Sequence, residues 1–230
     1  MANGSQSPDT IAVPKAWSIG IYLAGALLGL GSAFIVGPVV GWLLDVLGDA
    51  PGTLQAAARL PTAWAIPIMM ILGLFIAHRI VAEWKRENGT TTITFDGITT
   101  IRFEQRLYVP RERVAEVFVD KDELIAVDRH TKELLRVKAD DVLWKALGEA
   151  FQRHGYEWLG KGDPREDGFD VWVDGSDQVP KEMHDLLRAR ARAIYDEKYG
   201  TVEDLHDQLQ DAGVVVRDRK DEQEFRLISR

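Results

Sequence analysis

The sequence predicts a membrane α-hairpin of two transmembrane helices followed by an α+β cytosolic region. Three observations carry that prediction. The first 86 residues hold only 9 of the 64 charged side chains. Two stretches within them are long and apolar enough to cross a bilayer, and everything after residue 86 reads as short strands and amphipathic helices rich in charge. The absence of cysteine from all 230 residues excludes disulfides, thiolate metal sites and a cysteine nucleophile.

Residues 1–15 form a weakly charged leader, and residues 16–86 the hairpin. From Ala16 to Leu44 run 29 residues without a charge, about 43 Å as a helix against a hydrocarbon core of roughly 30 Å. Such a span must tilt, kink or end in the interface, and Gly37-Pro38 is the expected breakpoint. The second span covers about Thr62 to Ala82, and the 19 residues between Arg59 and Arg79 carry no charge. Trp17, Tyr22, Trp42, Trp64 and Trp84 mark the span ends, where aromatic rings favour the headgroup layer. The long first run and the immediate second one argue against a cleaved signal peptide.

Lys15, Arg79, Lys85 and Arg86 flank the hairpin, while the connecting segment offers Arg59 beside Asp45 and Asp49. Positive-inside reasoning therefore expects a multi-pass protein of the cell membrane with both termini cytoplasmic. Gly25, Gly29, Ala33, Gly37 and Gly41 recur at every fourth position, and Gly73 and Ala77 repeat the spacing. A stripe of small residues permits close helix packing, expected between the two spans, with a homodimer seam as the alternative. His78 and Arg79 read as a snorkelling anchor rather than an ion pathway, because Trp84, Lys85 and Arg86 follow within two turns.

Residues 87–230 carry 23 Lys+Arg and 32 Asp+Glu. That excess of negative charge repels nucleic acid and anionic lipid, and little recruitment of this portion to vesicles is expected. Ile93 and Phe95 alternate with threonines, Asp96-Gly97 predicts a type I′ turn, and Ile98, Ile101 and Phe103 continue the second strand. Further strands are expected around Arg106–Val109, Val114–Val119, Leu124–Asp128 and Leu134–Val137. A helix follows, capped by Asp140 or Asp141, with Leu143, Ala146 or Leu147, and Ala150 or Phe151 on its apolar stripe and Gly155 past its end. Meandering strands closed by one helix are the order of a pleckstrin-homology (PH)-like β-barrel, spanning 87–159.

Residues 160–177 read as a linker rich in Gly and Asp. Tyr156, Trp158, Phe169 and Trp172 are expected to pack on the barrel rather than to stack on bases, because acidic residues surround them. The last segment, 178–230, predicts a small helix-helix-hairpin domain. Met183, Leu186, Leu187 and Ile194 stripe its first helix, which Gly200 ends. Thr201 and Asp204 suggest a capping box for the second, and Gly213 closes that one before the hairpin strands Val214–Val216 and Phe225–Ile228. A unit of this size needs support from the barrel.

Two resemblances follow. Val109-Pro110-Arg111 followed by Val114 and Val117, Asp120-Lys121 ahead of the Leu124 strand, then Leu147, Ala150-Phe151, Gly155-Tyr156 and Trp158 resemble the YqeB-like family of small bacterial membrane proteins. That resemblance implies a two-span anchor ahead of a PH-like domain. Residues 180–230 resemble the anticodon-binding C-terminal domain of cysteinyl-tRNA synthetases. Arg188, Arg190, Arg192, Asp204, Leu205, Leu209, the run Gly213 to Asp218 and Phe225-Arg226 carry the likeness. Glu197–Thr201 departs from that family's interhelical segment, and the turn Arg219–Gln223 lacks its glycine. The synthetase's zinc ligands, its His-Ile-Gly-His-like motif and its Lys-Met-Ser-Lys-Ser loop have no counterpart here, so aminoacylation is excluded.

What the chain would bind therefore rests on a few residues. Arg188 and Arg192 share a helix face, and with Arg190 and Arg217 they suggest a patch for RNA phosphates or for a protein partner. Glu182, Asp185, Asp196 and Glu197 on the same helix favour intrahelical pairing instead. No metal-ligand spacing of the five histidines, no phosphate loop and no nucleophile elbow occurs. The expectation is a non-catalytic membrane protein without cofactor or metal, embedded in the lipid bilayer and presenting a cytosolic surface to a protein partner, with RNA as the alternative.

Overall fold

The computed structural model describes residues 7–47, 62–220 and 222–228. The chain divides into two units, one being Ala12–Gly89 and the other combining the residues before Ala12 with those from Thr90 onward. The connecting segment, with Asp49 and Arg59, lies outside the described residues.

The first unit holds two helices, α1 (Lys15–Leu47) and α2 (Thr62–Asn88). Their stretches Lys15–Trp42 and Ala63–Asn88 are long and apolar enough to cross a membrane, and only 11% and 17% of the 18-residue apolar core of each is buried within the protein. A hairpin serving as the core of a soluble domain would be covered on far more of its surface. Gly37-Pro38 does not break α1, contrary to expectation: the helix continues through Pro38, as α2 does through Pro67. A proline is tolerated inside so apolar a helix where local adjustment and neighbouring groups re-satisfy the backbone carbonyl it frees.

The helices run antiparallel, partners falling in number on one as they rise on the other. The Trp17 and Trp84 rings meet edge to face at 6.4 Å, and Tyr22 Oη lies 3.0 Å from His78 Nδ1. A Cβ on Gly25 would stand 2.7 Å from the Gly73 carbonyl oxygen and from the Ala77 methyl. One on Gly29 would overlap the Met69 carbonyl, and one on Gly73 the Gly25 carbonyl. Ala33 and Ala77 are buried beside them. At Gly37 and Gly41 an added Cβ meets nothing among the described residues.

The second unit begins with a strand absent from the sequence reading. β1 (Asp9–Ala12) occupies what was expected to be featureless leader, and it edges a four-stranded sheet of order β1-β2-β3-β4, with β2 (Thr90–Ile93), β3 (Gly97–Arg102) and β4 (Gln105–Pro110). A second sheet has the order β7-β6-β5-β8, from β5 (Glu116–Asp120), β6 (Glu123–Val127), β7 (Glu133–Lys138) and β8 (Trp158–Lys161), the last parallel to β5. The two sheets do not close into a barrel, which corrects the expected architecture while leaving it PH-like: seven strands followed by helix α3 (Asp141–Arg153). Leu143, Leu147, Ala150 and Phe151 of α3 fill the space between Ile93, Ile98 and Val109 on one sheet and Val117, Leu124 and Leu135 on the other.

Turn chemistry differs from expectation at three places. The first hairpin turns through Thr94–Asp96, closed by Thr94 N donating to the Gly97 carbonyl at 3.0 Å and Gly97 N donating to Thr94 Oγ1 at 3.2 Å. Gly97 is needed for close approach instead, because its Cβ would stand 2.6 Å from Tyr108 and from the Val109 carbonyl. Phe103 is not a strand residue: with Glu104 it forms the two-residue β3–β4 turn, both at positive φ (48° and 66°). Asp140 stands at the N-cap position of α3 but makes no side-chain cap bond to it, and Gly155 takes the left-handed position after the helix (φ 73°).

The C-terminal module contains α4 (Lys181–Tyr195), α5 (Tyr199–Asp211), β10 (Val214–Arg219) and β11 (Glu222–Leu227). Gly200 does not end α4 and Thr201 does not cap α5. Glu197 takes the left-handed turn (φ 56°), Lys198 N donates back to the Ala193 carbonyl at 2.9 Å, and α5 has already begun at Tyr199. The expected linker 160–177 contains the end of β8 and also β9 (Asp170–Val171), which joins β11 in a sheet of order β10-β11-β9. Tyr156 and Trp158 accordingly pack on Phe151 in the first core, whereas Trp172 packs with the C-terminal core of Leu187, Leu209, Val214, Val216 and Phe225.

The glycine crossing yields a direct test. Gly29→Leu should lower the thermal midpoint of the hairpin in lipid nanodiscs by several degrees, while Gly31→Leu, at an exposed position where an added Cβ meets nothing, should leave it unchanged. Equal effects of the two changes would remove the crossing as the reason for these glycines.

Candidate functional site

Alternation along β10 decides where the arginines go. Val214 and Val216 face α4 and α5, so Val215, Arg217 and Arg219 point to the opposite face. That second face lies on the sheet of β5 and β6, whose outward side chains Phe118, Ile125 and Val127 form a small buried cluster. Arg219 pairs with Asp120 of β5, and Arg226 of β11 donates to Thr131 Oγ1 and the Thr131 carbonyl at 2.9 and 2.8 Å. Gln210 Oε1 of α5 accepts from Glu133 N at 2.8 Å, and Lys132 Nζ reaches Asp211 at 2.6 Å. The C-terminal module and the PH-like domain thus share a polar interface, which supplies the support expected for so small a module.

Arg217 sits at its centre, with 4% of its side chain exposed. Nε donates to Glu224 Oε2 at 2.7 Å, Nη1 to Glu166 Oε2 at 2.5 Å, and the guanidinium lies 3.7 Å from the centre of the Phe169 ring. Burial works against its charge, but the hydrogen bonds to Glu166 and Glu224 outweigh that and raise its pKa. Arg190 is equally enclosed: it donates two bonds to the Asp218 carboxylate at 2.8 and 2.6 Å and one to Gln223 at 2.8 Å, tying α4 to the β10–β11 hairpin. Neither residue faces outward as a phosphate-binding patch requires.

Arg188 and Arg192 remain exposed. Arg188 pairs with Asp185 and, at 2.5 Å, with Asp174. The sequence held a signal for this division, since Arg190 falls on the stripe of Met183, Leu187 and Ile194, and Arg217 alternates with Val214 and Val216 on a strand. The reading also missed Tyr195 and Tyr199, which stand 88% and 70% exposed on either side of the α4–α5 turn. Among the described residues, no group of three or more His, Asp or Glu side chains is placed to hold a metal ion.

Glu133 anchors the other end of the interface. Burial alone would raise its pKa, but the Arg136 guanidinium and hydrogen bonds from His206 and Arg136 prevail and hold it at about 2. His206 Nε2 stands 3.3 Å from its carboxylate.

These geometries give the comparisons their context. The family described as YqeB-like bacterial PH domain matches residues 9–159, starting at the first residue of β1 and running through both helices to β8. The chain belongs to this family. The YqeB-like match thus takes in the hairpin together with the strands on either side of it. A second family, described as cysteinyl-tRNA ligase anticodon binding domain, matches residues 176–226. Among curated proteins, the uncharacterized protein YqeB of Bacillus subtilis (strain 168) is 27% identical over 227 residues, covering 96% of this chain and 92% of its own length. No solved structure matches the chain.

Two predictions follow from the interface. Arg217→Ala leaves the largely buried Glu224 without its counterion and should destabilise the second unit by about 3 kcal/mol, read by chemical denaturation. Glu133 has its folded pKa below the unfolded value of 4.5, so its contribution is complete above that pH and is lost as pH falls towards 2. Glu133→Gln should therefore cost about 3 kcal/mol near neutrality, the difference from the parent protein shrinking through that window.

Proposed function

We propose that the chain is a non-catalytic, membrane-anchored binding protein that presents one cytosolic body, the PH-like domain joined to the C-terminal module, to a protein partner. One observation carries this reading. β1, ahead of the first helix, shares a sheet with β2, which follows the second. The hairpin is thus an insertion in the domain's own sheet rather than an anchor at the end of a linker. If the helices cross a bilayer, both ends of the hairpin emerge on one side, and the positive charges of Lys15, Arg79, Lys85 and Arg86 support reading that side as the cytoplasm.

The presented surface in this reading is the end of the α4–α5 pair. Tyr195 and Tyr199 are exposed there and Arg192 lies one turn back, and Tyr and Arg are the side chains that dominate the energy of protein interfaces. The match to an anticodon-binding domain supports the second reading, RNA binding through Arg188 and Arg192. It is the weaker one, because Arg190 and Arg217 are spent on internal pairs.

Two measurements test the proposal. A reporter active only in the cytoplasm should be active when fused after Arg230, and activity of a reporter confined to the exterior would reverse the orientation. A photo-crosslinker at Tyr195 should capture a discrete protein in living cells, whereas one at Lys121, an exposed turn residue elsewhere in the unit, should not. For RNA, the full-length chain in nanodiscs should not bind tRNA at low salt. Binding whose logarithmic salt slope falls by about 0.7–0.9 per arginine replaced at Arg188 and Arg192 would favour the second reading over the first.

A further inference from the structure

The β3–β4 hairpin extends past the core it belongs to. Across the sheet, Ile93, Ile98 and Val109 form one fully buried row. The next rows toward the turn lose their cover: Leu107 opposite Thr100 is 47% exposed, and Ile101 opposite Arg106 is 46% exposed. At the tip Phe103 is 47% exposed in a two-residue turn, and Tyr108 on the outer face is 49% exposed. Leu107 and Tyr108 are neighbours on one strand and point to opposite faces, so both faces of this edge present apolar surface. Arg102 and Arg106 flank the tip, with the Arg102 guanidinium 4.9 Å from the centre of the Phe103 ring, and Glu104 is the one acidic residue between them.

The register identifies which end of the sheet this is. Ile101 pairs with Thr90, and Thr90 follows the last residue of α2 by only Gly89. The tip therefore lies beyond the row at which the chain leaves its second apolar helix. Exposed aromatic and aliphatic side chains flanked by two arginines have the chemistry of the headgroup layer, where aromatic rings settle and arginines meet lipid phosphate.

We propose that the β3–β4 tip, Ile101, Phe103 and Leu107 with Arg102 and Arg106, is a second membrane contact that seats in the headgroup layer and prefers anionic phospholipid. The inference rests on the reading that the two helices cross the bilayer. The negative charge of the rest of the unit does not oppose it, because the covalent anchor already supplies a high local concentration of lipid and the tip has only to choose its orientation. Its consequence is mechanical: a body held by its helix connections and by this tip cannot swing freely about the membrane exit, so the surface it presents keeps a fixed direction.

The absence of native cysteine makes the test clean. Single cysteines at Glu104, at Lys121 and, in the middle of α1, at exposed Leu28 are each labelled with a polarity-sensitive fluorophore in the full-length chain. The protein is then reconstituted in vesicles of neutral lipid or with roughly a third phosphatidylglycerol. Quenchers on lipid tails near the headgroup should quench the label at 104 and not the one at 121, and a quencher deep in the tails should reach the label at 28. Phe103→Asn keeps a residue suited to the left-handed turn and should weaken quenching at 104. Replacing Arg102 or Arg106 by Gln should lower the seated fraction's equilibrium roughly fivefold each in anionic vesicles. Equal water exposure at 104 and 121 would overturn the proposal, as would shielding at 104 that persists in detergent without lipid, since the tip would then be covered by a second copy. Failure of the deep quencher at 28 would instead remove the anchor reading on which the proposal rests.

Discussion

The pairing of β1 with β2 is the constraint on which the remaining structure depends. Four residues ahead of the first helix and four behind the second lie side by side in one sheet, so the intervening hairpin must leave and return at neighbouring strands. The glycine crossing serves the same end. Close approach of α1 and α2 at Gly25, Gly29 and Gly73 needs no hydrophobic driving force, which the bilayer would not supply between apolar helices. Tyr22 and His78 add a polar bond across the pair, and Trp17 meets Trp84 nearer the same open end. A fragment that starts after the hairpin would lose β1 and expose the edge of β2, so the domain is best studied with its anchor in place.

The second structural theme is an interface made of arginines. The sheet of β5 and β6 has one face on the apolar core and the other on the C-terminal module, where Asp120, Glu166, Glu224, Arg217 and Arg219 meet. An interface of this kind adds little net stability over an apolar one, because each charge loses its hydration. It does specify geometry, since the Arg217 guanidinium has to find two carboxylates and the Phe169 ring together. Of the four arginines that resemble an RNA-binding set, Arg217 is the one that lies between the C-terminal module and the PH-like domain, while Arg190 ties the module together internally.

The legibility of the sequence follows the range of the interactions. The spans were readable as long charge-free runs, and β5 to β7, α3 and the C-terminal helices because each carries its own periodicity, as in Leu143, Leu147 and Phe151. β1 was not, because Asp-Thr-Ile-Ala is too short to show alternation and is a strand only through its neighbour. The Phe103-Glu104 turn was hidden for a related reason: two residues that rarely accept positive φ are held there by the ladder from Gly97–Pro110 to Arg102–Gln105. Glu197 similarly replaced the expected glycine because a backbone bond from Lys198 to Ala193 closes the helix whatever the side chain. At the candidate site, residue types identified the arginines but only facing separated Arg188 and Arg192 from Arg190 and Arg217.

Elimination then narrows where this body can meet anything else. The β5–β6 sheet is covered on both faces, α3 buries its stripe between the sheets, and the C-terminal sheet is covered by α4 and α5 on one side and by the PH-like domain on the other. Among the described residues of this unit, the β3–β4 hairpin gathers Ile101, Phe103, Leu107 and Tyr108 and the α4–α5 turn carries the two most exposed aromatics, Tyr195 and Tyr199, while Phe95, Leu159, Val171, Val173 and Leu227 are exposed outside both. Connectivity ties the first to the end of the sheet from which the chain enters its apolar helix. The second belongs to the module matched to an anticodon-binding domain, whose position on the PH-like domain is set by Arg217, Arg219 and Arg226. The proposed function needs one surface for the membrane and one for the partner, and in that proposal the β3–β4 hairpin would serve the first and the α4–α5 turn the second.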